Sequence, residues 1–513
     1  MKTWRTTIAA FLALAGLAWP QGRELRLSLD DCIQQALRNN LNLAAEVLTP
    51  RIEEQTVGLA NQIFLPQMTL SVGQSSRNSA SFSWINAAGK VTTESGDYGL
   101  RLAQLLPTGG LLEANLYSYK TDSTESFLTI NPRYGSQLTF EFTQPLLRSF
   151  GPTATRQQII VAQNNRAISA SEFRRTLMDT VTQVEGAYWN LIYSIENLRA
   201  KQESLKYAQD LLYKNQKELE AGLIAPLEIF NAKAEVAGRE ADIIQAEAEV
   251  RNDEDELRTL INLPPTEGEA PPVLIPTDSP RLEEKVMPFD EAVRLALANR
   301  PELDAGRIRI RTSDVNLNVA RNGLLPNLSL SAAYWSPGVS GTRILYQDDN
   351  PLTRIIIGQV PGGASAALKD ALNLRYQNWS VNLTLDIPLD TVLSRASYAR
   401  AKLETEQASL RLKDLEQQAL LDVQTALRSV ETDHRRVIAY GAARTFEQEK
   451  LRAEEKKLAA GLSTSYTVLQ HQRDLAAARS NELRAIADYN LSLARLDRAL
   501  GLTLKTKNIL LEE

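Results

Sequence analysis

The chain has 513 residues, with 57 Lys and Arg against 62 Asp and Glu, one Cys and two His. A net charge of −5, with no basic run interleaved with aromatics, excludes a nucleic-acid surface. A single cysteine excludes an internal disulfide. No Gly-rich phosphate loop, His-Glu-x-x-His or Cys pair occurs, so no catalytic residue, cofactor or metal is expected.

Lys2 and Arg5 precede an apolar run from Ile8 to Leu17, and Gly16-Leu-Ala18 supplies small residues. This reads as a signal peptide over 1–18, removed after Ala18. No later stretch approaches the ~20 apolar residues a membrane helix needs. An exported chain of this kind is either soluble or crosses a membrane by β-strands.

A short helix opens at Leu27-Ser-Leu-Asp30, with Ser28 and Asp30 as caps. Its apolar positions include Ile33, Ala36, Leu37 and Leu43, and it runs to Pro66. Cys32 falls among them and reads as a small buried residue. Proline removes a backbone donor and pushes its predecessor out of the helical region, so Pro66 ends a helix and opens a strand. Four alternating stretches follow, at about 66–73, 98–106, 111–120 and 137–144. The links Ser75 to Asp97 and Thr121 to Gly135 are long and polar, whereas Pro107 to Gly110 is a tight turn. Strands of this length, joined by alternately long and short links, suit a membrane β-barrel running up, down, up, down.

Beyond Pro145 the character changes. A long helix is expected over 153–220, with Leu177, Val181, Val184, Tyr188, Leu191, Ile195 and Leu198 in 4-3 spacing and Leu205, Leu212 and Leu219 every seventh residue. That is a coiled-coil seam. Ala221, Gly222, Leu223 and Pro226 form a tip turn over 221–226, since Gly suits the end of a helix and Pro the start of the next. A short helix returns to 263, and the Pro-rich, acidic segment 264–288 reads as an extended equatorial linker.

The chain then repeats itself. Leu324-Leu-Pro326 answers Phe64-Leu-Pro66 at an offset of 260 residues, which also aligns Asp30 with Asp290, Asn39 with Asn299 and Ala60 with Ala320. The second repeat, 289–501, holds a short helix, strands at about 326–335 and 379–387, and a polar loop between them. A long helix over 390–460 follows, then a tip over 460–464 with Ala460, Gly461, Leu462 and Ser463, and a short helix to 501. Residues 502–513 are a tail. Each pair of short helices nearly matches one long helix in length. This suggests a hollow cylinder of antiparallel helices, with Pro66, Pro326, Pro145 and Pro388 marking the four passages between helix and strand. The rival reading is an exported coiled-coil structural or adaptor protein without its own pore; it leaves the alternating strands unexplained.

Leu27-Ser-Leu-Asp-Asp31, Leu65-Pro-Gln-Met-Thr-Leu-Ser71 with its second copy at Leu325–Ser331, Gln144-Pro-Leu-Leu-Arg148 and the paired Ala-Gly-Leu turns resemble the TolC-like outer-membrane efflux proteins. The resemblance covers essentially the whole mature chain. It implies a mainly α fold with a membrane β-barrel portion: long coiled-coil helices forming a periplasmic α-barrel, and strands of a trimeric outer-membrane β-barrel. It further implies a homotrimer set in outer-membrane lipid, with tip turns docking a periplasmic adaptor beneath an inner-membrane transporter. Such families usually supply two strands from the first repeat, giving twelve per trimer. Here the hairpin 98–120 makes four, and three chains of six strands give eighteen; the alternative is a hairpin projecting from a twelve-stranded barrel. The resemblance also places entrance residues beyond each tip, which here are Glu228, Asn231, Thr467 and Gln470. Only Glu228 is acidic. His434 sits on a 4-3 stripe with Leu427 and Val430 and reads as a packing residue.

Overall fold

The computed structural model describes residues 24–80, 89–222, 224–263, 272–280, 282, 284–353 and 355–510. The signal-peptide segment and Leu223 lie outside the described residues. In chain order the first repeat runs β1 (Glu24–Leu27), α1 (Leu29–Asn39), α2 (Leu41–Glu46), α3 (Leu48–Asn61), β2 (Gln67–Ala80), β3 (Lys90–Leu105), β4 (Leu111–Ser123), β5 (Ile130–Pro145), α4 (Pro152–Thr155), α5 (Gln157–Glu220) and α6 (Pro226–Leu260). The second runs β6 (Val273–Pro276), α7 (Phe289–Asn299), α8 (Pro301–Asn322), β7 (Asn327–Tyr346), β8 (Ile356–Val360), α9 (Ala364–Leu372), β9 (Asn378–Asp386), α10 (Val392–Ala459), α11 (Ser465–Ala499) and α12 (Thr503–Thr506).

The offset of 260 is written into these bounds: α1 and α7 coincide under it at both ends, and β2 and β7 begin at matching residues. The expected single helix to Pro66 is in fact broken, and so is its repeat. Asn40 and Arg300, one offset apart, both leave the helical region, with ψ of 121° in each case. Asn40 then caps α2 through Leu43 N–H at 3.1 Å, and Pro301 starts α8.

The chain divides into two compact units. One comprises residues 1–48, 171–303 and 415–513, and the other 49–170 and 304–414.

In the first unit the long helices pack on the shorter ones. Leu177, Val181, Val184, Tyr188 and Leu191 are buried as the heptad requires. Below Leu191 the buried stripe of α5 slips to Ser194, Asn197, Ala208, Leu211 and Asn215. A slip of one residue turns the buried face by about 100°, more than the ~20° per heptad by which a 3.6-residue helix drifts against a 3.5 repeat. It therefore marks a change of packing partner, from the core around Leu27 and Leu257 to the one around Ala232 and Val468. Ser480 Oγ donates to Asn197 Oδ1 and Ser465 Oγ to Asn215 Oδ1, both at 2.8 Å, while Asn215 Nδ2 is left without a partner.

Two expectations are corrected here. The segment 264–288 is not a bare linker, because β6 pairs in parallel with β1, Leu25 opposite Leu274. Tyr188, fully buried on α5, fastens this ribbon: its hydroxyl donates to Asp278 Oδ2 at 2.9 Å and accepts from Thr277 and Asp278 N–H. Leu27, Cys32, Ile33, Leu257 and Leu274 close a core around it. The tail 502–513 is likewise not free of structure, since α12 buries Thr503 and Lys507 reaches Glu185 at 3.0 Å.

The second unit holds one antiparallel sheet in the order β2-β3-β4-β5-β7, with β9 and β8 both on the far edge of β7. Asn327–Trp335 of β7 pairs with β9, and Arg343–Tyr346 with β8. The hairpin β3–β4 lies within the sheet, along its full length against both neighbours. The strands extend beyond the expected bounds: β2 and β3 continue through Ser75–Ala80 and Lys90–Ser95, and Thr92 donates to Asn78 Oδ1 across them. Both faces are polar there, so no period-2 contrast marks the strand although the ladder is complete. The expected polar loop 336–378 contains the end of β7, then β8 and α9.

Candidate functional site: a two-faced sheet and a pair of helical turns

Alternation along each strand fixes which residues share a face, and the register carries that face across the sheet. One row runs Leu70, Leu100, Leu116, Leu138. The next runs Met68, Leu102, Ala114, Phe140, Tyr334, Trp379, and a third joins Leu112, Phe142, Ala332 and Val381. On β9 the apolar run from Trp379 to Leu385 spans about 20 Å at ~3.3 Å per residue, near the ~25 Å apolar band of outer-membrane barrels. The opposite face carries Thr69, Arg101, Asn115, Thr139 and Asn378, with an Arg101–Glu113 ion pair and a Tyr117 hydroxyl bonded to Asp97.

Among the described residues the sheet has two free edges. All of β2 is exposed, with Met68, Leu70 and Val72 each about 70% accessible, and Trp379 and Leu383 of β9 are 74% and 65% exposed. An unpaired edge leaves a row of N–H and C=O groups that hydrocarbon does not tolerate.

The prolines lie at the ends of this sheet. Pro66 follows an extended Leu65 and precedes β2, and Pro326 precedes β7. Pro145 is the last residue of β5, and Pro388 lies between β9 and α10, where Asp390 caps the helix through Val392 N–H at 2.8 Å.

Each long helix ends in a tip turn. Gly222 and Gly461 have φ of 70° and 72°, left-handed values that a residue with a β-carbon adopts only under strain. Ala221 and Ala460 each donate back into the last turn of their helix, and Leu462 N–H returns to Lys457 O at 2.9 Å. Pro226 starts α6; Ser463 Oγ donates to Glu454. Leu462 is 78% exposed. A four-helix core of Ala208, Leu211, Ala232, Leu451, Val468 and Leu469 holds the two turns together.

Of the four expected entrance residues, the structure brings two together. Asn231 and Gln470 line a cleft of about 790 Å³ between α5, α6 and α11. Glu228 sits in the first turn of α6, half-buried, with Oε2 lacking a hydrogen-bond partner. Thr467 N–H and hydroxyl are both engaged by the capping Thr464.

The cleft's charge comes from residues the sequence did not single out. Glu235 accepts from Arg239 Nε at 2.9 Å and from Arg473, and Arg239 also donates to Ser204 O. Burial pushes the Glu235 carboxyl up, but the two guanidinium partners outweigh it and hold it below the usual range. Glu235 and Arg239 are four apart and readable as a helical pair; Arg473 is 238 residues away, and no spacing announces it. Among the described residues, Glu447, His471 and Asp474 also converge, with one potential ligand atom each within 4.8 Å. Lys450 binds both oxygens of Glu447, so that carboxylate is already paired. The His434 ring lies 5.4 Å from that of the buried Tyr489, tilted by 47°.

The model of the family described as outer membrane efflux protein matches residues 136–263 and 292–502. The outer membrane protein TolC of Vibrio cholerae is 24% identical over 353 residues, 66% of this chain and 71% of that protein. Toxin and drug export protein A of Aggregatibacter actinomycetemcomitans is 23% identical, over 59% of this chain. The pyoverdine export outer membrane protein OpmQ of Pseudomonas putida is 24% identical, over 66%. These two matches take in 62% and 65% of the relatives' own lengths, under two thirds. The outer membrane channel CmeC of Campylobacter jejuni superposes with a TM-score of 0.64 at 14% identity, covering 98% of this chain and 94% of that one. CusC does so at 0.67 and 16%, covering 98% and 99%. At these identities the structural likeness speaks for the fold: long helices of an α-barrel joined to strands of a β-barrel.

Proposed function

The chain belongs to the outer membrane efflux protein family, and from that premise we propose that it is the exit duct of a tripartite efflux or type I secretion assembly. Three copies close one barrel in the outer membrane and one tunnel of helices in the periplasm. A periplasmic adaptor grips the tips, and an inner-membrane transporter loads the cargo. The observation that carries this reading is the sheet, with one face apolar in continuous rows, one face polar, and two free edges.

The edges also argue the number of copies and strands. Within a protomer β2, β3, β4, β5, β7 and β9 alternate in direction, so β2 and β9 of adjacent copies meet antiparallel. Six strands per copy and three copies give eighteen, a barrel about one and a half times the diameter of a twelve-stranded one, because diameter grows roughly linearly with strand number. The polar face then lines the pore. Relatives named for toxin, drug and pyoverdine export are consistent with a wide polar duct whose cargo is chosen by the transporter beneath it.

Leu227, Phe230, Leu462 and Tyr466 stand more than half exposed next to the two tip turns. This reading makes them the apolar contacts of the adaptor. Glu228 of three copies, gathered near the tunnel entrance, raises local cation concentration. Glu228→Gln is therefore expected to reduce the cation preference of the channel in planar bilayers. Unchanged selectivity would leave Glu228 with only the favourable position of an acid at a helix N-terminus.

Membrane fractionation and gel migration with and without heating test the function as a whole. The expected product is in the outer membrane and migrates as a trimer that heat dissociates. A monomeric periplasmic product would favour the exported coiled-coil alternative.

A further inference from the structure

Helix α9 lies on the apolar side of the sheet, not across its polar face. Gly338 shares a β7 face with Ser336 and Tyr334, since alternate residues point the same way and the β5–β7 register is unbroken there. A β-carbon built on Gly338 would meet the carbonyl oxygen of Ala367 at 2.0 Å and the backbone nitrogen of Ala371 at 3.0 Å. The helix backbone thus sits directly over Gly338, with Ala367 and Ala371 fully buried beneath it. Tyr334 pairs with Phe140 and Trp379 in the aromatic row of the apolar face. So α9 crosses the same wall two same-face residues beyond that row, at the end of β9 remote from α10.

The end of the helix and the chain that follows it expose apolar groups. Leu372 and Tyr376 are each 50% exposed, and Trp379, where the chain descends into β9, is 74% exposed. Lys369 and Arg375 are exposed beside them; Arg375 lies 5.5 Å over the Tyr376 ring and bonds Asp370. Apolar and aromatic residues flanked by long cations, at the edge of a hydrocarbon band, are the chemistry of a membrane interface.

We propose that α9 is an interfacial helix of the outer leaflet. Leu372, Tyr376 and Trp379 face the boundary of the acyl chains, and Lys369 and Arg375 reach phosphate-bearing headgroups. The proposal rests on the membrane-barrel reading above and adds a site to it. Continuity with the apolar rows selects lipid as the occupant over a second protein copy, because the barrel's closing edges are β2 and β9, whereas α9 lies on a sheet face.

Depth-resolved quenching tests it on the full chain reconstituted in phosphatidylethanolamine–phosphatidylglycerol vesicles. An environment-sensitive fluorophore is placed by Leu372→Cys, and separately by Leu383→Cys in the middle of the band. The native Cys32 is fully buried, and burial pushes its thiol up to about 12, so it does not compete for the label. The expected result is severalfold stronger quenching of the Leu372 label by lipid carrying a doxyl group near the headgroup than by aqueous iodide. The Leu383 label should be quenched best by doxyl near the chain end. If Leu383 behaves so but Leu372 is quenched only by iodide, α9 lies in water and the proposal falls. If neither agent reaches Leu372, protein covers it and the proposal falls as well. If lipid does not quench the Leu383 label, the membrane barrel itself is overturned, and α9 with it. Tyr376→Cys supplies the same comparison should Leu372→Cys fail to insert.

Discussion

Leu383→Arg is expected to remove the heat-resistant trimer from the membrane, while Asn382→Arg, one residue away, leaves it in place. Leu383 pairs with Leu330 on the apolar face and Asn382 with Ser331 on the polar one. An arginine on the lipid face at mid-bilayer costs about 2–4 kcal/mol per chain, and a symmetric trimer carries it three times, on the order of 6–12 kcal/mol. An arginine on the pore face stays solvated and changes conduction instead, shifting selectivity toward anions. Quantifying the trimer band in membranes of the two variants separates the faces. Equal loss from both, or from neither, would contradict the assignment of the wall.

Glu235→Leu should loosen the joint between α6 and α11 by about 3 kcal/mol, since removing one partner of a buried pair leaves the other charge uncompensated. The Glu235 and Arg239 side chains are only 11% and 7% exposed, and Arg239 Nη2 already lacks a partner. Arg239→Met added to Glu235→Leu should recover most of the loss, because a buried pair replaced by apolar groups is often neutral. Both effects are read as shifts in thermal unfolding of the detergent-solubilised protein. The pH dependence has a definite sign. The folded-state pKa of Glu235 lies below the ordinary 4.5, so its contribution is present above that value and is lost as pH falls through the lower folded-state value. The native protein should therefore lose stability in acid, where the Glu235→Leu variant shows a flatter response.

What could be read in advance depended on whether a residue's environment was local. The 260-residue repeat, the 4-3 stripe around Val181 and Tyr188, and the alternation through Leu138, Phe140 and Phe142 are local patterns, and they carried the fold class. The β1–β6 ribbon escaped because each strand has four residues and its partner lies about 250 positions away. The polar extensions of β2 and β3 escaped because a strand with two wet faces has no hydrophobic period. Helix α9 was hidden inside a segment whose glycines and prolines signal loops; only the register showed that it covers Gly338 on the apolar side. In the cleft, Asn231 and Gln470 came from the family resemblance, which places entrance residues beyond each tip. The Glu235–Arg473 pair was not legible, since it depends on how two helices from different repeats pack.

The hairpin β3–β4 decides the central claim. With it in the wall each copy supplies six membrane-crossing strands, and neither edge can remain open in lipid. Electron cryomicroscopy of the purified protein in a lipid nanodisc, counting strands around the pore, is the direct measurement. The account predicts three copies and eighteen strands, with β2 of each copy paired to β9 of the next. A twelve-stranded ring with residues 98–120 outside it, or a sheet closed within one copy, would contradict it.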